Sequence, residues 1–175
     1  SDQQGPVVKR AGMFYIILVM LGIVVFQLGE MGAFAYVIEL GSAHEFSDRF
    51  IGLTLATGLW TGVPAALFVT WWGIRSGRLR PLMASTITCA LAIAALTIPS
   101  PTTYFIASIL FAMGFSIAIS YMIGLGAELD NLGRMGAMAG LVNNLGLAIG
   151  PAAAGFLVGR DMLLHVFILG ATLVL

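Results

Sequence analysis

Charge is what this chain lacks most. Asp, Glu, Lys and Arg together make up 9% of its 175 residues, where a soluble domain carries about 25%. A chain so poor in charge cannot clothe a water-facing surface, which excludes an ordinary soluble domain. Its eight basic and eight acidic residues cancel, leaving no basic face for nucleic acid. The single cysteine, Cys89, excludes an internal disulfide, and inside an apolar run it reads as a small packing residue. With only His44 and His165 besides, there is no metal-ligand spacing and no cofactor is implied. No nucleophile–base pair stands out either, so an enzyme is not expected. The opening Ser1-Asp-Gln-Gln-Gly-Pro6 has neither an initiator methionine nor a basic, cleavable signal pattern. It reads as the tail of a polar linker with more protein ahead of it.

What the chain has is apolar length. Hydrophobic residues make up 59%, and the mean hydropathy is +1.02. A helix needs about 20 apolar residues to cross a bilayer. Six stretches are candidates, at 13–40, 50–72, 81–99, 103–126, 135–158 and 162–175. The expected fold is an all-α membrane protein, a six-transmembrane-helix bundle over 13–175 preceded by the end of a cytoplasmic linker at 1–12. The sixth stretch has 14 residues, which span about 21 Å, so the last helix is expected to be cut short. Pro99-Ser-Pro101 forces a turn between the third and fourth spans. With a cytoplasmic N-terminus, inside segments hold Lys9, Arg10, Arg75, Arg78, Arg80 and Arg134, and outside segments hold only Arg49 and Arg160. That asymmetry sets the orientation.

The first span carries the costly residue. Within Phe26-Gln-Leu-Gly-Glu30-Met-Gly-Ala-Phe34-Ala-Tyr36, a carboxyl lies at bilayer depth, which by default marks a pathway, a proton site or a buried partner. The alternative is that Glu30 is held neutral by a neighbouring helix and only binds the bundle together. Gln27, Glu30 and Phe34 fall at i, i+3 and i+7 and share one face. A buried carboxyl that loads and releases a proton meets the minimum requirement for proton coupling. Gly29 and Gly32 flank it, as in a locally unwound binding helix or in tight helix packing. Glu39 reads as a solvated end residue.

Other spans add polar positions. The second has Thr54, Thr57, Trp60, Thr61 and Pro64 at helical spacing; the fourth has Ser108, Ser116, Ser120 and Tyr121; the fifth has Asn143 and Asn144. The third, Leu82 to Ile98, is nearly all small and aliphatic and reads as lipid-facing or peripheral. Val63-Pro64-Ala-Ala in the second span echoes Gly150-Pro151-Ala-Ala in the fifth, as inverted three-helix repeats would. The arginines at 75, 78 and 80 satisfy the positive-inside rule, and Glu128, Asp130 and Arg134 form another short cytoplasmic loop able to pair with them.

The loop Gly73-Ile-Arg75-Ser-Gly77-Arg78 resembles the degenerate second copy of the cytoplasmic signature Gly-x-x-x-Asp-Arg-x-Gly-Arg-Arg/Lys of the major facilitator superfamily. Arg75, Gly77 and Arg78 match its Arg, Gly and Arg, while Ile74 stands at the aspartate and Thr70 at the leading glycine. Gly146, Gly150, Pro151 and Gly155 are similar to that superfamily's Gly-x-x-x-Gly-Pro antiporter motif. Arg134-Met-Gly136-Ala-Met-Ala-Gly140 also looks like family sequence.

The whole chain thus resembles the C-terminal half, helices seven to twelve, of a twelve-helix major facilitator transporter. The resemblance implies a multi-pass protein of a bacterial inner (plasma) membrane whose partners are lipid, a small-molecule substrate, protons and an N-terminal six-helix half. It implies that spans one, two, four and five line a central cavity while three and six face lipid. The polar positions agree, since Gln27, Glu30, Thr57, Trp60, Ser116, Ser120, Asn143 and Asn144 all lie in the first group. The expected function is secondary active transport of a small organic solute by alternating access, coupled to protons. Glu30 would carry the proton or meet the substrate charge, with Gln27, Phe34, Trp60, Tyr121, Asn143 and Asn144 as contacts and the Gly-Pro helix as a close-packed pivot. The rival is a non-transporting protein on the same fold, such as an assembly factor, a pigment or lipid carrier, or an accessory subunit of a larger complex.

Overall fold

The structure is a computed structural model. It describes residues 6–73, 75, 77–128, 134–158 and 162–175, with side chains over 14–73, 75, 77–125, 137–158 and 162–175. Ser1 to Gly5, Ile74 and the loop residue Asp130 lie outside the described residues, as do the side chains of Lys9, Arg10, Glu128, Arg134 and Arg160.

Eight helices and no strand make up the described chain: α1 Pro6–Ala35, α2 Val37–Ala43, α3 Asp48–Trp60, α4 Gly62–Trp72, α5 Leu79–Leu96, α6 Pro101–Glu128, α7 Arg134–Val158 and α8 Leu163–Val174. Five segments are long and apolar enough to cross a membrane: Phe14–Ala35, Asp48–Trp72, Leu79–Leu96, Pro101–Leu125 and Ala137–Val158. Large apolar side chains stay exposed along them, Phe14, Leu67, Trp71 and Leu91 among them. Soluble monomers rarely expose apolar surface on that scale, so the chain is a multi-pass membrane protein. α8 has 12 residues, about 18 Å of helix, and falls short of a span.

Local chemistry sets the helix ends. The Ser47 hydroxyl accepts from the Phe50 amide at 3.3 Å and caps α3. Pro101 opens α6 at a first-turn position where a missing N–H costs nothing. In the arginine loop, Gly73 and Gly77 adopt φ of 53° and 76°, a left-handed backbone that only glycine enters freely. The Arg75 guanidinium lies 5.3 Å from the centre of the Trp71 ring, a cation–π contact at the end of α4.

Small residues bring the helices together. Gly32 of α1 crosses Gly150 of α7, and Gly29 crosses Gly170 of α8, so α1 is wedged between both. α1 runs unbroken through Gly29, Glu30 and Gly32, so these glycines serve packing and do not unwind the helix. α5 is not peripheral as its composition implied. It buries more of its length than any other candidate span, and Ser85 and Cys89 lie against Gly114 of α6. Residues small enough to look lipid-facing are those that let two helices approach.

The two Pro-Ala-Ala segments behave differently. Pro64 cannot donate to the Trp60 carbonyl, and the second span breaks at Thr61 into α3 and α4. Pro151 sits inside a continuous α7. The sequence echo is therefore not a structural one.

Candidate functional site

Glu30 and Gln27 are both 0% exposed. They stand one helical turn apart on α1 and face different neighbours. Gln27 Nε2 donates to Asn143 Oδ1 across the α1–α7 seam at 2.7 Å, and Gly146 leaves room for the Gln27 Cβ there. Gln27 Oε1 has no partner. Glu30 is among the residues that line a cavity of about 230 Å³ bordered by α1, α2, α3, α4 and α6, and its carboxyl oxygens are themselves buried. The polar neighbour of the carboxyl is the buried Cys89 thiol of α5, which interacts with it and also makes a long 3.9 Å contact to the Phe111 carbonyl.

The cavity wall is almost entirely apolar. Phe34 stacks on Phe111 with ring centres 6.2 Å apart, and Phe115 continues that aromatic side. Gly58 and Gly62 also line it, where α3 and α4 approach Ser108, Ala112 and Ser116 of α6. Three polar groups reach it: Glu30, Ser108 and Ser116. The Ser116 hydroxyl is spent on the Ala112 carbonyl of its own helix at 3.0 Å. The Ser108 hydroxyl, 5% exposed, has no partner. A carboxyl and a hydroxyl, both buried, thus stand beside one small apolar space. Buried polar groups are normally satisfied, and exceptions call for an explanation.

Both interrupted spans border this cavity. α1 gives way to α2 at Tyr36, between the wall residues Phe34 and Val37. α3 gives way to α4 at Thr61, between the wall residues Leu59 and Gly62. Breaks in spanning helices are tolerated where the backbone lines a cavity or is covered by protein.

The expected contacts do not all converge. Glu30 and Phe34 reach the cavity, the latter 41% exposed at its edge. Gln27 and Asn143 meet each other in the adjacent seam. Tyr121 is buried and donates to the Gly73 carbonyl at 2.8 Å, tying α6 to the end of α4. Trp60, 76% exposed, and Asn144 point away from the packed interior. Of the Gly-Pro positions, Gly146 and Gly150 lie in the α1–α7 seam, Gly155 accommodates the Tyr36 hydroxyl, and Pro151 lies next to Gly150 in α7. The expected contacts omit Phe111 and Phe115, and they leave Ser108 as no more than a polar position of its span. Their spacing at i, i+3 and i+7 marks one face of α6, but α6 is apolar all round, so its periodicity carried no contrast.

No protein family, no curated protein and no solved structure matches this chain. The fold and the site define a multi-pass helical membrane protein with a buried carboxyl beside a small apolar cavity.

Proposed function

We propose that the chain is the C-terminal six-helix half of a major-facilitator-like secondary transporter, moving a small organic solute by alternating access coupled to protons. The observation that carries this reading is Glu30, a fully buried carboxyl of a spanning helix that borders a cavity between interrupted spans. An ionisable group at that depth by default marks a pathway or a proton site. Two further features support it. The arginine loop that resembles the cytoplasmic signature turns on two left-handed glycines. The second and fifth spans bury the least of their length, as expected of a face that meets another half. In this reading α8 is part of the sixth span, the segment starts on the cytoplasmic side, and the membrane is a bacterial plasma membrane.

The apolar wall favours one alternative, a carrier of a lipid or pigment on the same scaffold. Proton-driven uptake into liposomes separates the two. Glu30→Gln keeps shape and burial while removing the titratable group, and should abolish accumulation driven by a pH gradient. Accumulation with unchanged pH dependence in that variant sinks the coupling role, and absence of any solute flux by the full-length protein favours the carrier.

A further inference from the structure

We propose that the open groove between α4, α5 and α6 holds one anionic phospholipid, its acyl chain along the groove and its phosphate at Arg80, with Arg75 as the second cationic group. This groove shares no lining residue with the Glu30 cavity, and the proposal stands independently of the transporter reading.

The groove has the shape for a chain. α5 has two faces: Ser85 and Cys89 meet Gly114 of α6, while Arg80, Ala84, Ile87 and Leu91 are exposed. Beside the outer face lies a space of about 440 Å³, walled by Phe68 and Trp72 of α4, Ala84 and Thr88 of α5 and Ile117 of α6, with Arg80 at the start of α5. Arg80 and Thr88 are eight residues apart, about 12 Å of helix, close to half of a roughly 30 Å hydrocarbon core. One leaflet's chain fits that length. The hydroxyls in the wall are spent on their own helix, Ser85 donating to the Leu82 carbonyl at 2.9 Å and Thr88 to the Ala84 carbonyl at 2.8 Å.

Charge then selects the headgroup. Arg80 is the charged residue of the lining. Arg75 lies over Trp71, whose ring centre is 5.9 Å from that of Trp72, and Trp72 stacks on Phe68 at 5.6 Å. An aromatic run thus joins Arg75 to the groove wall, and tryptophans favour the headgroup level of a bilayer. Arg78 reaches instead to Gly124 of α6. The acids with described side chains are Glu30, Glu39, Glu45 and Asp48, none of them later than the first residue of α3. Asp48 and Trp72 are the two ends of a 25-residue span, about 36 Å of helix. A basic pocket between spanning helices is complementary to an anionic lipid headgroup. A soluble anion would fill the charged end and leave the groove bare, and a neutral lipid would fill the groove and leave the guanidiniums unanswered. The adjoining groove of about 510 Å³ supplies the contrast. It shares Thr88, continues between α5 and α6 to Thr102, and has no charged residue among those that line it, so it accepts chains without choosing a headgroup.

The test uses the full-length protein in a neutral detergent, titrated with phosphatidylglycerol and phosphatidylcholine that carry the same brominated chains, which quench nearby tryptophan. Trp72→Phe is the blank that isolates the tryptophan in the groove wall. Phosphatidylglycerol is expected to bind about fivefold or more tighter, the contribution of one arginine near a headgroup. Arg80→Gln should remove most of that preference. Ala84→Phe, which fills the groove from an exposed position, should reduce quenching by both lipids. Glycerol phosphate, the headgroup without chains, should not displace the bound lipid even in excess. Equal affinity for the two lipids overturns the proposal, as does a preference that survives Arg80→Gln or quenching unmoved by Ala84→Phe. Displacement by glycerol phosphate assigns the site to a soluble anion, and absence of quenching by either lipid assigns the groove to a protein partner; each overturns the proposal. The wild-type comparison needs no variant, so it decides even where a substitution prevents folding.

Discussion

The packing around Glu30 makes a quantitative prediction at its neighbour. In Gly29→Ala the new Cβ would stand 2.8 Å from the Gly170 carbonyl oxygen and 2.9 Å from the Leu173 Cβ. Ordinary contact begins at 3.4 Å, so the crossing of α1 and α8 must open by up to 0.6 Å. The obstacle is backbone, which cannot rotate aside as a side chain would. Overpacking of this kind costs about 1–3 kcal/mol. Alanine also returns about 0.5–1 kcal/mol of helix propensity over glycine, which would blur a single measurement. Gly22 on the same helix removes that ambiguity, because a Cβ there meets nothing within 4 Å. The difference between Gly29→Ala and Gly22→Ala isolates the overpacking. For a chain of this size each kcal/mol moves the melting temperature by about 2–4 °C, so Gly29→Ala should melt about 2–12 °C below Gly22→Ala. Thermal unfolding of the purified full-length protein in one detergent, followed by circular dichroism, is sufficient. Gly29→Ala melting at or above Gly22→Ala would refute the close α1–α8 crossing.

Three other outcomes follow from single contacts. Asn143→Ala leaves the Gln27 amide buried with neither end paired and should cost about 1–3 kcal/mol, whereas the double variant Gln27→Leu/Asn143→Ala should recover much of it; a double no better than the single in chemical unfolding argues against the seam. Tyr121→Phe removes the bond to the Gly73 carbonyl and should cost about 0.5–1.5 kcal/mol in the same assay, with no change in ligand binding because the phenol lies off the cavity wall. Ser108→Ala should not destabilise the fold, since among the described residues its hydroxyl has no partner to lose; a marked drop in stability in the same assay would show a partner after all.

Much of the helical layout was legible because apolar length is a one-dimensional signal. Expected spans at 81–99, 103–126 and 135–158 correspond to Leu79–Leu96, Pro101–Leu125 and Ala137–Val158. Glu30 was legible for a similar reason, since one acid in a long apolar run stands out without any knowledge of the fold. Facing was less legible. Trp60 and Asn144, expected as contacts, are exposed on the second and fifth spans, and polar or aromatic character alone does not say whether such a side meets lipid or a partner. The converse error concerned α5, where Ala, Ser and Cys were read as lipid-facing and instead form the surface that meets Gly114. Without a hydrophobic contrast between interior and lipid, small size indicates packing better than apolarity does.

The two helix breaks connect the fold to the cavity more closely than any one side chain. A regular helix past Thr61 would bond residue 64 to the Trp60 carbonyl, a bond that Pro64 cannot supply and whose loss favours a break here, although α7 absorbs the same loss at Pro151. The consequence is local: Ala65 bonds to the Thr61 carbonyl at 3.1 Å, starting α4 afresh, and Gly58, Leu59 and Gly62 around the break become cavity wall. On the facing span the break at Tyr36 is held from outside. The Tyr36 hydroxyl packs at Gly155 of α7, and the Tyr104 hydroxyl donates to the Val37 carbonyl at 2.9 Å. One break thus has a local cause in its own helix, at Pro64, and the other is contacted by α6 and α7. Any movement of α7 against α1 would act through Gly155 and Tyr36 on the end of α1 that carries Phe34, and in the transporter reading this is the route by which it would reach the cavity.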